Sequence, residues 1–338
     1  MDKIVYVLVS EDTDYYLEEM IISIISLRRY NQDVEVVVVT DNITKKRIDN
    51  FKIDILKSVS QYIVREFPDS IKPHLRSRYL KTSLRDIISG KFLFVDCDTI
   101  FAGSIKSIFN INVDIGMVLD RHSDLSDLSR YLTVKKNINV FEPLIGDILL
   151  DYFNSGVMLV DDNRKTKEFF HSWHEEYKKS NFYGNYQDQP PLAVVNLKYG
   201  GVISKLDGVY NCQMDRGVKY LSDAVVIHYL GVQYNTNVKI GNVSFLMHEI
   251  ADLNLFKDFR NNNWHLTNDL KKILSSPKRS IKDLVTVPTD TTVYKVINSD
   301  MFSFMCLCYT SHHVAFKTFN SLIELLLKYY RLVKNRKH

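Results

Sequence analysis

Cysteine is scarce in this 338-residue chain: Cys97, Cys212, Cys306 and Cys308 are the whole complement, and none stands in a CxxC pair. So few thiols in so long a chain exclude a disulfide framework. They are expected to be reduced, which favours the cytosol. Glycine is sparse too, with 12 scattered residues and neither a GxGxxG nor a Walker A sequence. That excludes a Gly-rich loop at a helix N-terminus as the cradle for phosphates. No uncharged apolar stretch reaches the roughly 18 residues of a membrane-spanning helix. The nearest, "MFSFMCLCYTSHHVAF", contains two histidines. The start, "MDKIVYVLVSEDTD", has an acid at position 2 and too short an apolar run for a signal peptide. Charge of one sign is lacking as well: a formal net charge of +4 excludes a bulk polyanion binder. No basic patch interleaves with aromatics in the strand-rich half, so nucleic acid is not expected as a partner. Internal repeats and low-complexity tracts are absent.

What is present is a soluble globular composition, 45% hydrophobic and 25% charged, in a length that suits one large or two ordinary domains. The first half alternates patterns of strand and helix. "IVYVLVS" (4–10) and "VEVVVVTD" (34–41) read as buried strands, and between them residues 14–31 place Leu17, Ile21, Ile24 and Ile25 on one helical stripe. This is a β-α-β unit, which implies a parallel sheet. A single helix over "RYLKTSLRDIIS" is expected to stop at Gly90, ahead of the strand "FLFVD". Strands are expected at 115–120, 153–160 and 224–230, with a helix near 164–180 and another opened by Pro190 and Pro191. After about residue 245 the pattern becomes irregular and helical, then apolar and increasingly basic. The expected division is a catalytic α/β domain over 1–245 and a helical, basic appendage over 246–338.

The strand "FLFVD" runs into "VDCDTIF", which sets Asp96 and Asp98 one residue apart at a strand end. Residues i and i+2 of an extended segment point to one side. Two carboxylates sharing a side repel unless a cation joins them, and a hard divalent ion with oxygen ligands is the natural solution. A solvated turn, with Asp98 capping the residues after it, is the simpler alternative. Two chemistries use an acid pair in this position. A haloacid-dehalogenase-type phosphatase carries DxDx(T/V), which "VDCDTIF" fits only superficially, because that motif usually opens the first strand of its domain. Transfer from a sugar nucleotide is the other: the leaving diphosphate needs neutralisation, and a carboxylate-held metal supplies it as a Lewis acid.

The ordered set "SRYLKTSLRDI", "VDCD", "YFNSGVMLVD", "YQDQPPLAVVN", "LDGVYNCQ" and "VIHYLG" resembles the family 8 retaining glycosyltransferases over about residues 3–235. The resemblance implies a GT-A fold, with a mixed, mainly parallel sheet flanked by helices. It implies a UDP-sugar donor, manganese or magnesium as cofactor, and a metal set of Asp96, Asp98 and His228. Donor contacts are implied for Val9, Ser10, Arg78, Asp96, Asp120, Asn154 and Ser155, with Asp12 a weaker candidate in the same loop as Ser10. Asp188 would bond donor hydroxyls, and Gln189 would lie beneath the anomeric carbon. On local sequence alone Asp188 could equally be a helix N-cap, Arg78 a surface residue and His228 a satisfied core group. An amide such as Gln189 is a poor nucleophile, so front-face substitution is favoured over a covalent intermediate. The family pattern HxxGxxK departs here: "HYLGVQYN" puts Tyr234 in place of the Lys, with Lys239 or Arg78 as possible compensation. That departure keeps open a nucleotide-sugar binding protein without turnover.

The C-terminal "FKTFNSLIELLLKYYRLVKNRKH" mixes apolar and basic residues and ends without an acid after Glu324. It reads either as a helix packed on the catalytic domain or as a peripheral anchor on anionic lipid. The second reading suits a saccharide or lipid-linked acceptor in surface polysaccharide or lipopolysaccharide synthesis, at the inner face of the cell membrane.

Overall fold

The computed structural model describes residues 2–288, apart from 52, 126–127, 144–150, 215–217, 232–238, 241–242, 245–247 and 283–284. Beyond 288 it describes 304, 314, 317, 318, 320–322, 324, 325 and 328, all helical. Tyr234 and most of the basic tail lie outside the described residues. The chain forms two compact units, Met1–Thr286 and Val287–His338. The position expected from sequence to divide the chain, near 245, falls inside the first. Among the described residues no helix is long and apolar enough to cross a membrane.

The first unit opens with β1 (Lys3–Leu8), α1 (Tyr16–Tyr30), β2 (Glu35–Asp41), α2 (Asn42–Asn50) and β3 (Gln61–Arg65). Then come α3 (Pro73–Thr82), α4 (Leu84–Ile87), β4 (Phe92–Val95), β5 (Thr99–Phe101), α5 (Lys106–Phe109), β6 (Ile115–Leu119) and α6 (Leu128–Asn139). It continues through β7 (Phe153–Val160), α7 (Arg164–Phe182), α8 (Gln189–Lys198), β8 (Ile203–Lys205), β9 (Cys212–Gln213), β10 (Val226–His228), α9 (Leu253–Asn261) and α10 (Asn268–Ser275).

The seven-stranded sheet has the order β3-β2-β1-β4-β7-β6-β8. The β1–β2, β2–β3, β1–β4 and β6–β8 pairs are parallel; β7 runs antiparallel to both its neighbours. The sheet is therefore mixed and mainly parallel, as the resemblance implies. Strand order reverses between β1 and β4, the topological switch point at which open α/β sheets bind ligands. Because β7 alone runs the other way, its first residues lie beside the last residues of β4: Asp96 N–H donates to the Gly156 carbonyl at 2.7 Å.

Alternation along the strands fills both faces. Val5, Val7, Phe92, Phe94, Met158 and Val160 share a core with Leu80, Leu84, Phe169, Phe170 and Trp173 from the helices of one side. Helix α1 covers the other, where the Tyr6 hydroxyl meets Ser23 Oγ at 2.9 Å and Ser23 Oγ meets Thr99 Oγ1 at 3.1 Å.

The helix expected to run unbroken to Gly90 divides at Ser83. Thr82 Oγ1 and Ser83 Oγ donate back to the carbonyls of Arg78 and Tyr79, at 2.9 and 2.7 Å. Such back-bonding competes with the helical ladder and bends it.

A second, three-stranded sheet of order β5-β10-β9 completes the frame of the site. β5 begins directly after Asp98. The antiparallel register pairs Thr99 with His228, so the strand that carries His228 delivers it beside the acid pair.

Candidate active site

Asp96 and Asp98 leave the carboxyl end of β4 half-buried, while Cys97 between them is buried. The period of two that points both acids into the site points Cys97 into the core. Its Sγ lies 3.5 Å from the Val7 carbonyl, and burial pushes its thiol well above the usual range. Asp96, Asp98 and His228 each offer one ligand atom, all within 4.8 Å of one another. His228 Nε2 lies 3.2 Å from Asp98 Oδ1. Burial alone would lower the His228 pKa, but Asp98 outweighs it and holds the imidazole above its ordinary value. Burial works in the opposite sense on Asp98, and His228 outweighs it, keeping that carboxyl below its ordinary range. Two carboxylate oxygens and an imidazole nitrogen form a donor set that suits a divalent cation.

Gly156 of "FNSG" is the seat of the His228 ring. A Cβ at position 156 would stand 2.3 Å from His228 Cε1 and 2.8 Å from Nδ1, closer than any carbon contact allows. The glycine is therefore there for a close approach, not for an unusual backbone angle.

Helix α3 supplies the positive side. Residues three apart share a helix face, so Arg78 and Lys81 point the same way. Arg78 Nε is 3.4 Å from Asp188 Oδ1. Lys81, 2% exposed, is 3.1 Å from Asp96 Oδ1 and 3.1 Å from Asp188 Oδ2, and it donates to Ser155 Oγ at 3.2 Å. The Ser155 hydroxyl donates to Asp188 Oδ2 at 2.8 Å.

Asp188 occupies the N-cap position of α8 but makes no capping hydrogen bond with its side chain. The carboxylate turns instead to Arg78, Lys81 and Ser155, which decides against the capping alternative. Burial would raise its pKa; Arg78 and Lys81 reverse that and hold it far below the usual carboxylate range. Trp173 Nε1 fixes the Asp188 carbonyl at 3.0 Å. The next residue, Gln189, donates from Nε2 to the Phe153 carbonyl at 2.8 Å, which ties α8 to the start of β7.

Asp120 follows β6 in a short turn. Its Oδ1 accepts from Asn154 Nδ2 at 3.2 Å, and its Oδ2 accepts from Arg130 at 3.0 Å. Arg121 and His122 both take left-handed backbone angles, with φ of 56° and 54°. Such angles cost free energy in non-glycine residues and persist where neighbours impose them. Gln213 does so: its Oε1 accepts from Arg121 N–H at 2.7 Å, and its own N–H reaches His122 Nε2 at 3.0 Å.

At the end of β1, Val9 and Ser10 are buried. Ser10 Oγ donates to Asp14 at 2.6 Å and accepts from Arg47 at 2.7 Å, while Arg47 Nε also reaches the exposed Asp12 at 2.8 Å. Arg260 of α9 holds this loop from the far side. It donates to the Asp12 carbonyl at 2.8 Å and to the Asp14 carbonyl, pairs with the buried Glu18, and sits over the Tyr15 ring.

The predicted site residues with described side chains thus gather around the carboxyl ends of β1, β4 and β6 and the start of β7, with Arg78 supplied by α3, Asp188 and Gln189 by the start of α8, and His228 by β10 of the smaller sheet. The metal set comes together, and Arg78, Ser155 and Asp188 form a second cluster joined to it through Lys81. Sequence reasoning missed Lys81, Asn211, Gln213 and Arg260. Lys81 carried a usable signal in its spacing of three from Arg78, and Asn211 and Gln213 in their alternation within "NCQ". Arg260 carried none.

A mixed sheet with a strand reversal over an acid pair, and a smaller sheet delivering a histidine to that pair, is the GT-A architecture of nucleotide-diphospho-sugar transferases. The Glycosyl transferase family 8 model matches residues 7–234, and the chain belongs to that family. Among solved structures, the galactosyltransferase LgtC in complex with donor and acceptor sugar analogs is 16% identical over 80% of this chain and 99% of its own, with a TM-score of 0.50. An active-site glutamine-to-glutamate mutant of LgtC gives 0.51 at the same identity and coverage. Mouse xyloside xylosyltransferase 1 is 15% identical over 71% of this chain and 100% of its own, with a TM-score of 0.46. Among curated proteins, no sequence match was found. The family makes the protein a glycosyltransferase and sets the phosphatase reading aside. Its site fits a divalent metal and a nucleotide-sugar donor.

Proposed function

We propose that the protein is a metal-dependent, retaining hexosyltransferase that moves galactose or glucose from a UDP-sugar to a saccharide or lipid-linked acceptor. Its setting would be surface polysaccharide or lipopolysaccharide synthesis at the inner face of the cell membrane. The observation that carries the reading is the convergence of Asp96, Asp98 and His228 at the strand-order reversal, one lysine away from Asp188.

Asp96, Asp98 and His228 would hold manganese or magnesium, which when bound supplies Lewis-acid neutralisation of the leaving diphosphate. Val9, Ser10 and the β1–α1 loop would receive the uridine. Arg78, Asp120, Asn154, Ser155 and Asp188 would orient the donor sugar, with Lys81 setting the charge between Asp96 and Asp188. Gln189 would lie beneath the anomeric carbon, where an amide cannot serve as an effective nucleophile. The acceptor hydroxyl then attacks from the face the diphosphate leaves, and a departing phosphate oxygen takes its proton. The protein's part is positional and electrostatic.

We read residues 1–245 as the part that carries the chemistry and 246–338 as serving it. Within the latter, α9 braces the uridine loop, and the basic tail is assigned to peripheral membrane contact.

UDP release from a panel of UDP-sugars, with and without manganese, tests the proposal. Wild type is expected to release UDP from one hexose donor only with metal and acceptor, and Asp98→Ala to lose that release. The product linkage should keep the anomeric configuration of the donor. Metal-independent release, or an inverted linkage, would overturn it.

A further inference from the structure

The motif "LDGVYNCQ" contributes no residue to the proposed donor contacts, yet its Asn211 is fully buried against the back of the metal set. Asn211 Oδ1 lies 3.1 Å from His228 Nδ1, and Asn211 Nδ2 donates to Asn154 Oδ1 at 3.0 Å. Asn154 in turn accepts the Gly156 backbone N–H on that same oxygen, at 3.0 Å, and donates from Nδ2 to Asp120 Oδ1 at 3.2 Å.

The chemistry of these partners fixes every orientation in the chain of contacts. A backbone N–H can only donate and an ionised carboxylate can only accept. The Asn154 atom facing Gly156 is therefore its oxygen, and the atom facing Asp120 is its nitrogen. The Asn211 atom facing the Asn154 oxygen must then be its amide nitrogen, which leaves the Asn211 oxygen toward His228. An oxygen there requires a proton on Nδ1. A neutral His228 with its proton on Nδ1 carries its lone pair on Nε2, the atom 3.2 Å from Asp98.

We infer that Asn211 is the positioning residue that sets the His228 tautomer, presenting Nε2 to the metal, and that Asn154 locks Asn211 in that orientation. The inference rests on the proposed metal role of His228. Metal-bound histidines usually donate their second ring N–H to a fixed acceptor, and loss of that acceptor weakens metal affinity by about 10- to 100-fold.

Two measurements test it. The first is the pair of ring-nitrogen chemical shifts of His228 in the wild type loaded with magnesium, a diamagnetic divalent ion that engages Asp98 so that its carboxylate, 3.2 Å from Nε2, does not compete for a proton there. The Nδ1–H form is expected, and the Nε2–H form would overturn the inference without any variant having to fold. The second is manganese affinity by calorimetry. Asn211→Ala is expected to bind about tenfold or more weakly. Equal affinity in Asn211→Ala and wild type would also overturn it. If the wild type takes up no divalent ion, the metal reading fails by itself, whereas metal uptake that Asn211→Ala leaves unchanged overturns only the role of Asn211.

Discussion

Gly156 has no room for one more carbon. A methyl there would meet the His228 ring at 2.3 Å, so Gly156→Ala is expected to displace the ring from the acid pair. Overpacking of this kind costs about 1–3 kcal/mol. Manganese affinity should fall together with the chemical-denaturation midpoint; unchanged metal binding in a folded Gly156→Ala protein would contradict the close-packed seat. Asp188 makes a pH-dependent contribution whose sign is set by its surroundings. Despite its burial, Arg78 and Lys81 favour the ionised form, so its stabilisation is full above the unfolded carboxyl value of about 4 and is lost as pH falls below that. Asp188→Asn should therefore be less stable than wild type at neutral pH, and the gap should close in acid. Denaturation curves at neutral and acidic pH measure it, and a constant gap would show that Asp188 is not held ionised. The acid pair itself was legible from two letters and a strand. Lys81, despite its spacing of three from Arg78, did not stand out, because a lysine on a helix reads as solvated surface until its partners are known.

Elements decide which of these residues can meet. β7 brings Asn154, Ser155 and Gly156 to the end of β4 only because it is antiparallel, and the β5–β10 register puts His228 next to Thr99. β1, β2, β4, β6, β7 and β10 were visible as apolar runs, whereas β3, β5 and β8 were not. Their direction and pairing were not, because alternation in a sequence records burial but not which neighbour a strand will take. β9, two residues long, falls below any periodic signal. Helix α9 was visible only as part of an irregular, helical stretch, yet its Arg260 anchors the β1–α1 loop and neutralises Glu18, which is fully buried. Removing one partner of a buried pair costs about 3 kcal/mol or more, and the low end suits an arginine still a quarter exposed. Arg260→Ala should lower stability by that order and raise the KM for the UDP-sugar with kcat little changed. A variant that folds with an unaltered KM would show that the loop needs no brace.

At the scale of the molecule, the order of the motifs carried the fold. The acid pair, "FNSG", "QDQ" and the late histidine are far apart in the chain and converge at the carboxyl end of β4, the histidine arriving from the smaller sheet, and their order along the sequence pointed to GT-A through the family resemblance. Sequence order could not show the connections behind the site: the contacts from Asp120 through Asn154 and Asn211 to His228 join four separate segments, and the alternation in "NCQ" does not name the partners of Asn211. In the proposed function, Asp98 and His228 hold a cation against a sugar-nucleotide diphosphate. Calorimetry of UDP binding tests it most directly, with and without manganese, for wild type, Asp98→Ala and His228→Ala. Manganese is expected to strengthen UDP binding to wild type, and either substitution to remove the gain. UDP affinity indifferent to manganese in wild type, or a gain that survives in both variants, would contradict it.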